Sequence, residues 1–272
     1  MGLAIGIPDQ LQFTLRVITV VNMPNDQRTQ RRLKKKQQKE AQRLQRAERM
    51  NQKPEAAPHP KPNPQPLRAK TENQLRLIRA INTHDQVIAI GCAGTGKSYI
   101  PAAMAADLLS SGTIQKIIMT RPMISVGKSM GYLPGDLNEK VAPWMVPLMD
   151  PLVDRLGRGF VDYCLRTGKI EVVPFELIRG RTWKNAFVIV DEAQNCTFHQ
   201  LKAVVTRIGE ESKLVIDGDI AQADIPNSGL APLLRLAQKH NIDCATVEFG
   251  LEDVVRSGLV KQWLSAFYRE QL

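Results

Sequence analysis

Three features of the 272-residue sequence predict an α/β fold, a parallel sheet covered by helices on both faces. Short apolar runs of strand length recur along the later part of the chain. Helical segments separate most of them, and the first run ends in a glycine-rich loop. Runs that are apolar throughout, rather than alternating, belong to strands buried on both faces, and a helix between consecutive strands is the connection that keeps them parallel. The chain shows no internal repeat.

Taken in order, Thr71-Glu-Asn-Gln-Leu-Arg-Leu-Ile-Arg-Ala-Ile81 places apolar residues at helical spacing behind a threonine suited to capping. The folded part is therefore predicted to begin near Lys70 with a helix. Gln86–Gly91 is a short apolar run ending in glycine and reads as a buried strand, with Ser98–Leu109 as the helix after it. Lys116–Thr120, Phe187–Asp191, Lys213–Asp217 and Cys244–Phe249 read as further buried strands, and Ile170–Val173 as a weaker one.

The first quarter of the chain differs in kind. Residues 1–27 are ambiguous, since Leu15–Val21 suits either a short strand or disordered chain. Residues 28–53 hold eleven Lys or Arg against Glu40 and Glu48, a segment charge of +9 within a net charge of +10. With little apolar content beyond Leu33, Leu44 and Met50, this stretch reads as a basic arm, helical or disordered, that cannot bury a face of its own. Residues 54–69 read as a proline-rich, semi-rigid linker. Residues 70–272 form the domain, where 22 basic residues from Thr71 onward balance 22 acidic ones. The positive charge thus belongs to the arm. No apolar run approaches the roughly 20 residues needed to span a bilayer, so no membrane partner is expected and the cytoplasm is the expected compartment. Cys92, Cys164, Cys196 and Cys244 show neither a CxxC pair nor a nearby histidine pair, which fits a reducing compartment better than a zinc site or a disulfide framework.

The chemistry concentrates at Gly91-Cys-Ala-Gly-Thr-Gly-Lys-Ser98, which matches GxxxxGK[ST] with a strand before it and a helix after it. Glycines let backbone N–H groups curl around phosphates, and the helix N-terminus adds its dipole. Gly91, Cys92, Ala93, Gly94, Thr95, Gly96, Lys97, Ser98 and Tyr99 form the candidate cradle. Lys97 is expected on the β- and γ-phosphates of ATP, and the Ser98 hydroxyl on Mg²⁺. The second anchor for Mg²⁺ is Asp191, which ends the apolar run Phe187-Val-Ile-Val-Asp191. Its neighbour Glu192 is placed to orient or deprotonate an attacking water. Two acids capping the next helix are the plainer alternative. A hydrolytic glutamate disfavours a small-molecule kinase, which must avoid attack by water, and the Asn-Lys-x-Asp tetrad that reads guanine occurs nowhere.

Asp191-Glu-Ala-Gln-Asn195, followed by Gly218-Asp-Ile-Ala-Gln222, resembles the PhoH-like ATPase family. Thr120-Arg-Pro122, Gly131-Tyr-Leu-Pro-Gly-Asp-Leu-Asn-Glu-Lys140, Arg179-Gly-Arg-Thr182 and Asp253-Val-Val-Arg256 extend the resemblance, in order, over about residues 70–269. It implies a single RecA-like P-loop NTPase domain, similar in core to the nucleotide-binding half of superfamily one helicases. It also implies that Gln74 reads the adenine edge and that Gln222 senses the γ-phosphate. Arg256 would meet transition-state charge, in cis or from a neighbouring subunit of a homo-oligomer, a ring being one form. The alternatives are a surface position for Gln74 and an ion pair to Asp253 or Glu252 for Arg256.

Two function classes follow. One is an ATPase that grips and remodels single-stranded RNA or DNA, supported by the helicase-like motifs, by Arg121 at a strand end and by the basic arm. Aromatics for base stacking are sparse; Tyr132, Trp144 and Trp183 are candidates, though core packing suits each. The other is a nucleotide-driven protein switch or remodeller without a nucleic-acid substrate, and stimulation of turnover by poly-U separates the two. Deleting residues 1–53 should leave basal turnover intact, because the linker separates arm from domain. If the arm touches polynucleotide phosphates, the deletion flattens the dependence of binding on salt. An unchanged slope in a filter-binding series would assign the arm to another partner.

Overall fold

The computed structural model describes residues 65–122, 137–178 and 180–270. The expectations for residues 1–27, for the basic arm 28–53 and for the linker up to residue 64 lie outside these residues. So do those for Gly131 to Asp136, Tyr132, Arg179 and the Trp144 side chain.

The sheet has six strands, all parallel, in the order β3-β2-β4-β5-β1-β6. They are β1 Gln86–Gly91, β2 Lys116–Thr120, β3 Ile170–Val172, β4 Ala186–Val190, β5 Lys213–Gly218 and β6 Ala245–Phe249. The predicted strands all form, within a residue or so at each end. Seven helices connect or flank them among the described residues: α1 Glu72–Thr83, α2 Tyr99–Ser110, α3 Leu137–Leu156, α4 Arg158–Thr167, α5 Phe198–Val205, α6 Leu230–Lys239 and α7 Gly258–Glu270. This is the RecA-like P-loop arrangement, with the loop after β1 and Asp191 two strands away after β4.

Local chemistry sets the boundaries. Thr71 caps α1 by accepting from Gln74 N at 3.2 Å, as its position in the sequence predicts. Thr197 and Gln200 close a reciprocal capping box on α5, and Gly168 ends α4 in the left-handed conformation. The sequence does not predict helix α3, because Pro143, Pro147 and Pro151 punctuate it. Prolines four residues apart lie along one stripe of a helix, so the hydrogen bonds they remove are confined to one side.

Alternation along the central strands divides the core in two. Ala89, Met119, Phe187, Ile189 and Val215 face one cluster with Leu77 of α1, Ile100 and Ala105 of α2, and Leu148 and Leu152 of α3. Ile88, Ile118, Val188, Val190 and Ile216 face the other with Leu201 of α5 and Leu230 of α6. Helix α2 is alanine-rich and buried on most sides because it lies under both the sheet and α3. Trp183 is 6% exposed and belongs to the second cluster, so it serves packing rather than base stacking. No described helix is long and apolar enough to cross a membrane.

Parallel strands that all run one way bring their carboxyl ends to one edge of the sheet, where ligands bind in open α/β folds. Phe187 is fully buried on β4, the strand that carries Asp191 to that edge. Phe187→Ala should lower unfolding free energy by about 3–5 kcal/mol through lost transfer energy and the cavity left behind. Urea denaturation measures it, and a loss below about 1 kcal/mol would contradict this account of the core.

Candidate nucleotide site

The loop begins where β1 runs out. Gly91 has φ +122°, and any side chain there would run into the Phe249 carbonyl of β6, so only glycine lets the chain leave the sheet so closely. Beyond it the loop folds on itself. Thr95 Oγ1 donates to the Cys92 carbonyl at 2.9 Å, and Lys97 Nζ donates to the same carbonyl at 2.6 Å. Lys97 is 8% exposed, its ammonium drawn into the mouth of the loop. Burial pushes the Cys92 thiol above its ordinary value, which argues against an activated thiol in the loop.

Ser98 opens helix α2 and points across the sheet. Its Oγ lies 2.9 Å from Asp191 Oδ1 and 3.1 Å from Asp217 Oδ1. The two carboxylates end neighbouring strands, β4 and β5, and each is only 2% exposed. The Asp217 carboxyl is held well above the usual carboxylate range, first by burial and then by the Asp191 charge beside it. Asp217 takes no part in the sequence-based assignment. Yet the signal that marks Asp191, an acid closing an apolar strand, is equally present in Lys213-Leu-Val-Ile-Asp217. A hydroxyl and carboxylates form a hard oxygen set, which suits Mg²⁺. Among the described residues no three His, Cys, Asp or Glu side chains converge as a metal site of their own, so phosphate oxygens and water would have to complete the shell.

Glu192 follows Asp191 with φ +54°, a left-handed conformation that is costly for a non-glycine residue and that swings its side chain along the strand ends. Both of its oxygens are engaged. Arg121, at the end of β2, places Nη2 3.2 Å from Glu192 Oε1 and Nη1 3.1 Å from Asp191 Oδ2. Gln194 Nε2 donates to Glu192 Oε2 at 2.5 Å, while Gln194 Oε1 accepts from Asp219 N at 3.0 Å. Arg121 is thus ion-paired with both acids.

The remaining predicted residues fall elsewhere around the loop. Gln74 is buried, not on the surface; its Nε2 donates to Thr95 O at 2.8 Å and its Oε1 accepts from Lys70 N at 2.7 Å. It lines a cavity of about 450 Å³ with Gly94, Gly96, Tyr99, Arg155 and Arg256. Arg256 is exposed, its side chain lying over Gly94, and it pairs with neither Glu252 nor Asp253. Asp253 is instead taken by Asn73 Nδ2 at 2.7 Å and Gly250 N at 3.0 Å, which ties the segment leading to Arg256 onto α1. The structure therefore gathers Lys97, Ser98, Asp191 and Glu192 with Arg121 and Asp217, and sets Gln74 and Arg256 together at the cavity. Gln222 is exposed in the short turn Ile220–Gln222 beyond Asp219, with only its backbone N bonded, to Asp219 O at 3.0 Å.

The family pattern described as PhoH-like protein matches residues 66–268. Protein PhoH of Escherichia coli K12 is 44% identical over 207 residues, 74% of this chain and 58% of its own. The PhoH-like protein of Bacillus subtilis is 42% identical over 208 residues, 75% of this chain and 65% of its own. The chain thus spans less than two thirds of the length of either relative. Among solved structures, the large terminase of a thermophilic bacteriophage aligns with 75% of this chain and 52% of its own at 14% identity and a TM-score of 0.47. On the family match and these identities, the chain belongs to the PhoH-like protein family.

Proposed function

We propose that this protein binds ATP with Mg²⁺ and hydrolyses it, and that hydrolysis is coupled to binding or remodelling of single-stranded RNA or DNA. The observation that carries the ATPase half is the meeting of Ser98 with Asp191 at 2.9 Å beside Lys97, with Glu192 next along the chain. Residues 93 positions apart reach each other there.

Lys97 would exchange the Cys92 carbonyl for phosphate oxygens, and the loop N–H groups would hold the rest of the chain of phosphates. Gln74, fixed from both ends by backbone partners, supports adenine recognition at the cavity, whose volume falls in the range of small-molecule sites. Bound at Ser98 and Asp191, Mg²⁺ supplies charge neutralisation to the phosphate oxygens. Glu192 is the group that orients or deprotonates the water, and one of its two present contacts must lengthen for it to do so. Its link through Gln194 to Asp219 N runs straight into the turn that carries Gln222. A shift of that turn therefore reaches the catalytic carboxylate through a single side chain, which supports a role for Gln222 in coupling nucleotide state to movement.

Arg256 lies over its own loop on the Gln74 side, which supports contact with the nucleotide there. A transition-state role for it calls for the site of a neighbouring copy. The exposed apolar side of α7, which follows Arg256 directly and stacks Trp263 on Phe267 with centroids 5.7 Å apart, supports such a homo-oligomer. The same face favours the second reading, a nucleotide-driven protein remodeller, because it offers a protein-docking surface. With Arg121 committed to the acids, the nucleic-acid half rests on the basic arm and the motif set. Poly-U that raises phosphate release decides for the polynucleotide, and no stimulation decides for the protein partner.

Lys97→Ala should abolish phosphate release and weaken binding of a fluorescent ADP analogue, and unchanged turnover would overturn the assignment of the loop. Glu192→Gln should lower turnover by about 10²-fold or more while leaving analogue binding near normal, the share typical of a positioned base. Equal losses of affinity and rate would mean that Glu192 shapes the site instead.

A further inference from the structure

We propose that Asp217 is a second carboxylate of the cation site, and that with Asp191 and the Ser98 hydroxyl it gives the protein an affinity for a divalent cation before any nucleotide arrives. The inference rests on the P-loop reading above for the place of the site, and adds to it a residue and an order of binding.

Position comes first. β5 lies between the loop strand β1 and the Asp191 strand β4, with Asp217 in register with Ala89 and one residue past the Val190–Ile216 pair. Ala89, Val215 and Ile189 share one face of the sheet, so alternation puts Asp217 and Asp191 on that face, under the start of α2. Ser98 meets both there.

The second observation is independent of this proximity. Asp217 Oδ2 is buried and receives no hydrogen bond from the described residues. Buried polar atoms in native structures nearly always have a partner, and an orphan calls for an explanation. Among the described residues no cation serves as one: Arg121 pairs with Asp191 and Glu192, and the Lys97 ammonium donates to the Cys92 carbonyl. The Ser98 hydroxyl has one hydrogen to offer two carboxylates. What remains is a hydroxyl oxygen and two closely spaced carboxyl groups, one of which keeps a buried oxygen without a donor. An isolated buried carboxylate is among the most costly groups to place in a core, and an apolar residue would pack there without that cost. A small divalent cation removes both the repulsion and the orphaned oxygen at once. Hard oxygen ligands select Mg²⁺ or Mn²⁺ over softer metals.

The test uses the full-length, nucleotide-free protein titrated with Mn²⁺ alone, free Mn²⁺ being followed by electron paramagnetic resonance. The wild type should take up one Mn²⁺ at this site, and Asp217→Asn should weaken that uptake about 10-fold or more, the scale seen when groups around a metal are removed. Asparagine keeps the shape of the side chain, and an unchanged far-ultraviolet circular dichroism spectrum verifies that the variant is folded. If it does not fold, Asp217→Ser repeats the titration. Absence of Mn²⁺ uptake by the wild type without nucleotide, or equal uptake by the variant, overturns the proposal. Mn²⁺ uptake that follows Asp217 in a protein that binds no ADP would uphold it while sinking the ATPase reading, so the two fail separately.

Discussion

Two buried carboxylates on adjacent strands meet a serine hydroxyl from the phosphate loop, and the rest of the molecule is arranged to hold them there. That contact requires β5 to stand between β1 and β4, all strands to run the same way, and α2 to start directly above the sheet. It also brings repulsion into the core, since burial raises the energy of unpaired charge and proximity adds to it. The neighbouring groups answer this in different ways: Arg121 spans Asp191 and Glu192, while Lys97 lies nearby on a backbone carbonyl. Asp217 is left with a buried oxygen that no donor among the described residues satisfies.

A second constraint runs along the strand ends. Glu192 adopts a left-handed backbone, Gln194 bridges it to Asp219 N, and the turn with Gln222 follows at once. Strain of this sort persists only where the surroundings over-determine it, and here the hydrogen bonds of Arg121 and Gln194 do so. On the other side of the loop, Gln74 ties α1 to Thr95 O, and Asn73 ties α1 to Asp253. The helix before the loop and the segment after β6 are therefore fastened to each other and to the phosphate loop. The cavity and the acids are mechanically linked through that loop.

Much of this is legible in the sequence because the physical signals are local. An apolar run ending in glycine, a threonine before a helical stripe, and GxxxxGK[ST] between strand and helix each depend on a few adjacent residues. Lys97, Ser98, Asp191 and Glu192 come together as expected for that reason. Asp217 carries the same signal as Asp191, but only the order of the strands shows that it lies beneath Ser98. Arg121 is visible at a strand end, yet its direction toward the acids is a matter of sheet neighbours. Helix α3 is hidden by three prolines whose common stripe emerges only once the helix is built. The alternative of an ion pair between Arg256 and Asp253 is not met, because Asn73 reaches Asp253 from a helix 180 positions earlier.

On the proposed function, the loop and the acids form one site for a nucleotide and its divalent cation. Calorimetric titration of ADP into the full-length protein, with Mg²⁺ and with a chelator in its place, tests it most directly. One ADP per chain should bind, more tightly when Mg²⁺ is present. ADP that produces no heat and no saturation in either condition, or binding indifferent to Mg²⁺, would contradict it.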